Sequence, residues 1–237
     1  MSRRTFKTSI AQDGYRQLVQ DWRGCQRCPL SARRSNIVHL RGIIPAPVLF
    51  VSEAPGRTED LLGAPFVGAA GRDVFNPLLT NVWQRLGYEI PFAVTNIVAC
   101  MPEQDNGEWI EFEDDGHGNP AKQWIENWEL RPPEKTEAAE CRPRLLQTIQ
   151  LCQPKVIILM GNIAARDFRP LQKHECHGIP LLGIYHPAHI IYAAERQSIT
   201  PESTYEFKRA SQMLAHFFTM HHDLIFPGKK VRKGATK

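Results

Sequence analysis

"VLFVSEAPG", Val48 to Gly56, joins two unlike halves. The apolar half is too short for a helix and reads as a strand buried on both faces, the pattern of a parallel sheet. The second half abandons apolar character for Glu53, Pro55 and Gly56. It opens a loop that runs to Arg72 as "SEAPGRTEDLLGAPFVGAAGR". Glycine and proline permit turns and close backbone approach. They do not account for Glu53, Glu59 and Asp60, or for Phe66 as the loop's one aromatic residue.

Three further runs have the strand character of the first: "FAVTNIVA" (92–99), "KVIILMG" (155–161) and "LLGIYH" (181–186). Helical spacing of apolar residues lies between and after them. It is found in "GRDVFNPLLTNVWQRLG" (71–87), where Pro77 must fall early or kink the helix, and in "TEAAECRPRLLQTIQLC" (136–152), with Thr136 as the cap candidate. A closing helix is expected in "STYEFKRASQMLAHFFTMHH" (203–222). Strands alternating with helices imply an α/β fold, a three-layer α-β-α sandwich around a mainly parallel four-stranded sheet. One domain is expected over 1–222, followed by a basic tail, 223–237. Residues 101–135 interrupt the pattern with acids, Trp109, Trp124, Trp128 and His117, and read as an insertion.

In open α/β sheets ligands bind beyond the carboxyl ends of the strands. Three polar stretches start there: Ser52–Gly56, Asn96, and "HPAHII" from His186. Net charge is +4, which permits a nucleic-acid partner without requiring one. No apolar run is long enough to span a membrane, and "MSRRTFKTSI" lacks the apolar stretch of a secretory signal, so a cytoplasmic, nucleoid-associated protein is expected. Among the six cysteines, Cys25 and Cys28 form a C-x-x-C, a spacing open to zinc, an iron–sulfur cluster or redox chemistry. Cys152 reads as core, and Cys176 has His174 and His177 beside it.

Taken in order, "CQRC", "SEAPGRTED", "APFVGAAG", "TNIVAC", "EC" before "RPRLL" and "YHPAHII" resemble the uracil-DNA glycosylase superfamily, nearest to its iron–sulfur type, family four. The resemblance covers roughly residues 15 to 217. It implies a DNA glycosylase that flips uracil or a modified pyrimidine out of DNA, single- or double-stranded, and hydrolyses its N-glycosidic bond. It further implies Cys25, Cys28, Cys100 and Cys141 as ligands of a structural 4Fe-4S cluster. Phe66 would stack on the base and Asn96 would read its edge, with Ser52 and Ala54 lining the same pocket. Glu53 and Glu59 would serve the sugar cation and the water, and His186 the base oxygen. The segment His189, Ile190, Ile191 and Tyr192 would form the wedge that enters the DNA.

Two positions depart from the family pattern. Ser52 stands where the family usually has Gly, and Ile190–Tyr192 stand where Leu-Leu-Arg is common. The acidic insertion points to a gate on DNA entry, a protein contact or room for a different base, since acids repel phosphate. The chain is otherwise expected to be a monomer. The rival readings are a non-catalytic iron–sulfur DNA reader and a partner subunit of a repair or replication complex.

Overall fold

The computed structural model describes residues 3–112, 121–125 and 127–228, with side chains described for 12–107 and 127–228. The chain order is α1 (Arg3–Trp22), β1 (Leu40–Gly42), β2 (Val48–Ser52), α2 (Arg57–Leu62), α3 (Asn76–Leu86) and β3 (Phe92–Asn96). The insertion follows with β4 (Glu103–Asp105), β5 (Glu108–Phe112), β6 (Ala121–Ile125) and β7 (Trp128–Leu130). Then come α4 (Lys135–Cys152), β8 (Val156–Met160), α5 (Asn162–Lys173), β9 (Leu181–Ile184), α6 (Pro187–Gln197), α7 (Tyr205–Met220) and α8 (His222–Ile225).

The central sheet has the order β1-β3-β2-β8-β9. Its last four strands are the expected parallel set. Three-residue β1 adds a fifth strand, antiparallel to β3, too short to leave a pattern in the sequence. Side-chain alternation splits the sheet into two cores. Leu49, Val51, Ile157 and Leu159 face a layer that includes Leu145, Ile149 and Phe168 of α4 and α5. Val48, Phe50, Ile158 and Met160 face Leu78, Val82, Leu214 and Phe218 of α3 and α7. Strands buried on both faces explain why their sequences carry unbroken apolar runs.

Several local expectations need correction. Glu134, not Thr136, caps α4, because the Glu137 carboxylate reaches back to the Glu134 N–H at 2.8 Å. β3 ends at Asn96, so Cys100 lies in the loop beyond it. Pro77 falls early, as expected, in the first turn of α3, directly after a π-helical stretch, Ala70–Phe75. The insertion is two antiparallel strand pairs, β4 with β7 and β5 with β6, rather than a structureless loop. His117 and the tail from residue 229 lie outside the described residues.

Candidate active site

Strand register sets the floor of the site. Ser52 and Asn96 are paired neighbours at the carboxyl ends of β2 and β3. His186 follows β9 and caps α6. A cavity of about 440 Å³ opens above them, lined by Ser52, Glu53, Ala54, Glu59, Phe66, Asn96, His186, His189 and Tyr192 among others.

Asn96 is 1% exposed, and its Oδ1 is buried with no hydrogen-bond partner. An orphaned acceptor costs roughly 1–3 kcal/mol, so its place at a cavity wall suits a ligand that donates to it. Phe66 holds φ at 57°, a left-handed conformation uncommon outside glycine. Its ring packs on Phe75 at 4.8 Å while Phe66 also lines the cavity, so it is both core and cavity wall. The close turn is possible because residue 71 is glycine: a Cβ there would lie 1.8 Å from the Phe66 carbonyl oxygen.

The two glutamates differ. Glu59 accepts from the Gly56 N–H at 3.2 Å through one carboxylate oxygen and from the Gly68 N–H at 3.1 Å through the other. Both are therefore engaged in bracing the loop, although Glu59 reaches the cavity wall. Gly56 is the N-cap of α2 and has no side chain to cap with; the one capping bond here is the Glu59 carboxylate reaching back to its N–H. Asp60 is buried and accepts from the Ser35 and Asn36 N–H groups, which ties the segment after the C-x-x-C to this loop. Glu53 has no such bond among the described residues. Burial raises its pKa; nearby Arg166 opposes this and Asp167 adds to it.

His186 Nδ1 accepts from the Ala188 N–H at 3.1 Å, and Nε2 lies 2.8 Å from Ser52 Oγ. Burial, with a smaller contribution from His189, lowers its pKa to about 4. The ring is neutral near pH 7.

The wedge segment does not act as a block. Ile190 is 0% exposed, inside the α3–α7 core, and Ile191 packs against that core. The helical turn of α6 directs them inward while His189 and Tyr192 face outward, Tyr192 at 60% exposed.

Sequence reasoning missed the opposite wall. Pro102, Leu130, Arg131 and Pro132, all from the base of the insertion, line the cavity. Arg131 grips buried Glu137 through two bonds of 2.5 and 2.8 Å. Glu103 pairs with Arg57 at 2.5 Å and with Arg33 at 3.6 Å, while Arg33 sits 3.5 Å above the Trp128 ring. No local sequence pattern announces contacts between such distant residues.

Four cysteines draw together beside this wall. Burial raises the Cys28 thiol, with smaller contributions from Cys141 and Cys25. Burial likewise pushes Cys100 up to about 12, with Arg34 opposing and Cys141 and Cys28 adding to it. Arg34 bridges the group, donating to Cys25 O at 2.6 Å and toward Cys100 Sγ at 3.8 Å. Among the described residues no three His, Cys, Asp or Glu side chains converge tightly enough for a single metal ion. The thiols of Cys25, Cys28, Cys100 and Cys141 are all of the ligand type that an iron–sulfur cluster takes. Cys152 and Cys176 are buried core residues, 0% and 1% exposed.

A family model described as the uracil DNA glycosylase superfamily matches residues 41–214. The chain belongs to that superfamily. Its relatives include the type-4 uracil-DNA glycosylase of Pyrobaculum aerophilum, 30% identical over 187 residues, covering 71% of this chain and 80% of the relative. Those of Archaeoglobus fulgidus (27% identical; 83% and 91% covered) and Saccharolobus solfataricus (28%; 92% and 94%) bear the same description. No described helix is long and apolar enough to cross a membrane.

Proposed function

We propose that this chain is a DNA glycosylase that removes uracil, or a closely related pyrimidine, from DNA by hydrolysing the N-glycosidic bond. The observation that carries this reading is the buried, unpartnered Oδ1 of Asn96 at the wall of a cavity that also holds Phe66, Glu53 and His186. A uracil ring offers an N–H donor beside a carbonyl acceptor, which one amide side chain satisfies; cytosine reverses both roles. Phe66 supplies the stacking face for the flipped base.

Bond cleavage leaves positive charge on the sugar and negative charge on the base. The Glu53 carboxylate, with both oxygens uncommitted, stabilises the cation and orients the water whose oxygen bonds to the sugar carbon. The linked pair of Ser52 and His186 supplies the donor toward the base oxygen. Glu59 supports the reaction indirectly, by holding the loop that carries Phe66. Tyr192 from α6 and Leu130 from β7, respectively 60% and 50% exposed, take the role of filling the gap in the base stack in place of Ile190. Cys25, Cys28, Cys100 and Cys141 hold a 4Fe-4S cluster that joins the N-terminal segment, the loop after β3 and α4. Replacing one of these cysteines by serine should cost iron and the broad visible absorption, whereas changing Cys152 should not.

The test is single-turnover base release from single-stranded and duplex DNA containing uracil, a modified pyrimidine or cytosine at one position. Release of uracil with cytosine left intact is expected. Tight DNA binding with no release from any substrate would overturn the enzyme in favour of a non-catalytic reader.

A further inference from the structure

The hydrogen bonds around His186 fix where its proton sits. Nδ1 accepts the Ala188 N–H at 3.1 Å, so Nδ1 presents a lone pair. The ring's one proton is then on Nε2, and its acceptor is Ser52 Oγ at 2.8 Å. His186 has therefore already spent its only N–H. Ser52 Oγ accepts that bond and has no other hydrogen-bond partner among the described residues. Its own O–H remains to be donated, and Ser52 lines the cavity next to Asn96 in the sheet register.

We propose that the Ser52 hydroxyl, polarised by the His186 Nε2–H, is the group that donates to the oxygen of the departing base, and that His186 acts through it as a positioning residue. This rests on the glycosylase reading above. No proton is transferred to the base in this step. The sugar–nitrogen bond breaks, its electron pair moves onto the base, and the Ser52 O–H bond to the base oxygen strengthens as negative charge collects there. A donor that is itself receiving a hydrogen bond is the stronger for it. For His186 to reach the base directly, it would have to give up Ser52 and leave that buried oxygen without its donor.

The experiment is a double-mutant cycle on Ser52→Ala and His186→Ala, measured as single-turnover release of uracil and of 5-fluorouracil from otherwise identical DNA. Fluorine stabilises the departing anion, so a missing donor should matter less for that base. We expect Ser52→Ala to slow uracil release by about 100-fold, the scale of one preorganised donor, and to slow 5-fluorouracil release distinctly less. The double variant should be no slower than Ser52→Ala alone, because the two groups form one path. Thermal melts of each variant monitor folding. Wild-type rates in Ser52→Ala with a slow His186→Ala would overturn the inference and make His186 the direct donor. Additive losses would overturn the shared path, and equal losses on both bases would reduce Ser52 to a structural role. Wild-type protein that releases neither base would overturn the glycosylase reading itself, and this inference with it.

Discussion

The two walls of the cavity are built on opposite principles. The floor, Ser52 with Glu53 directly after it, Asn96 and His186, hangs from the ends of buried strands, and backbone pairing sets its spacing. The facing wall, from Glu103 to Pro132, is tied down by charge: Arg33 and Arg57 on Glu103, and Arg131 on Glu137. Strand pairing places side chains with little freedom and little dependence on the solvent. The pairs of half-exposed Arg33 and Arg57 are open to solvent and sensitive to salt, while the pair of Arg131 with buried Glu137 anchors the segment. The groups proposed above to react sit on the first kind of wall, and the second closes the cavity from the other side.

If this division holds, the largest effect belongs to the floor. Glu53→Gln should slow single-turnover uracil release by about 100-fold or more, as expected for loss of one preorganised charge facing a developing cation. DNA affinity measured by gel shift should stay near wild type, since phosphate contacts dominate it. A variant that released uracil at the wild-type rate would move the chemistry off the floor.

Next is the anchor of the other wall. Arg131→Ala leaves Glu137, 1% exposed, without its cation. Breaking such a pair costs about 3 kcal/mol, read as a lower denaturation midpoint. Changing both residues, Arg131→Met with Glu137→Gln, should recover part of it.

Acid should expose the floor in a different way. Burial lowers His186 and His39 from the ordinary 6.5 to about 4, with Arg144 adding to the effect at His39. Between those values the unfolded chain binds more protons than the folded one, so stability is lost as pH falls from about 6.5 toward 4. Base release at fixed temperature should show no step near pH 6.5, because His186 stays neutral. It should decline only when Glu53 protonates, at a pH above the ordinary carboxylate value of 4.5.

Leu130→Ala sharpens the comparison further. It should slow release from duplex DNA a few-fold and leave single-stranded DNA untouched, because only a stacked duplex has a gap to fill. The smallest effect should come from replacing residues 107–126 with a short Gly-Ser link. This cut spares Glu103, Trp128 and Arg131, so iron content and melting temperature should hardly move. A cut starting at Glu103 should cost measurably more.

The sequence told the two walls apart in its own way. The four parallel strands were legible because burial on both faces demands unbroken Val, Ile and Leu. Asn96 and His186 were legible because polar residues at strand ends stand out against those runs. Ile190 was misread although the helical spacing of Ile190, Ala193 and Ala194 marks an inward face. Glu59 was read with the reacting carboxylates; its bonds to the Gly56 and Gly68 N–H groups are backbone contacts that a pattern of side chains does not announce. Leu130 and the pairing of Glu103 left no trace, because what defines them is contact across long stretches of chain, and Arg131 pairs with Glu137 six residues on, a separation at which neither a helix nor a strand brings side chains together. The Ser52–His186 bond, across 134 residues, is invisible for the same reason.

Gly71 carries a consequence for how this protein can change over generations. Every other amino acid would place a carbon where the Phe66 carbonyl already stands, so no missense codon at that position is conservative. Its neighbour Arg72 is exposed, its side chain pairing among the described residues with adjacent Asp73, and is free to vary. In a library of all single variants, position 71 should therefore survive as a single letter beside a column that accepts almost anything. Gly71 itself is not among the cavity-lining residues, yet it most narrowly limits the wall that Phe66 supplies.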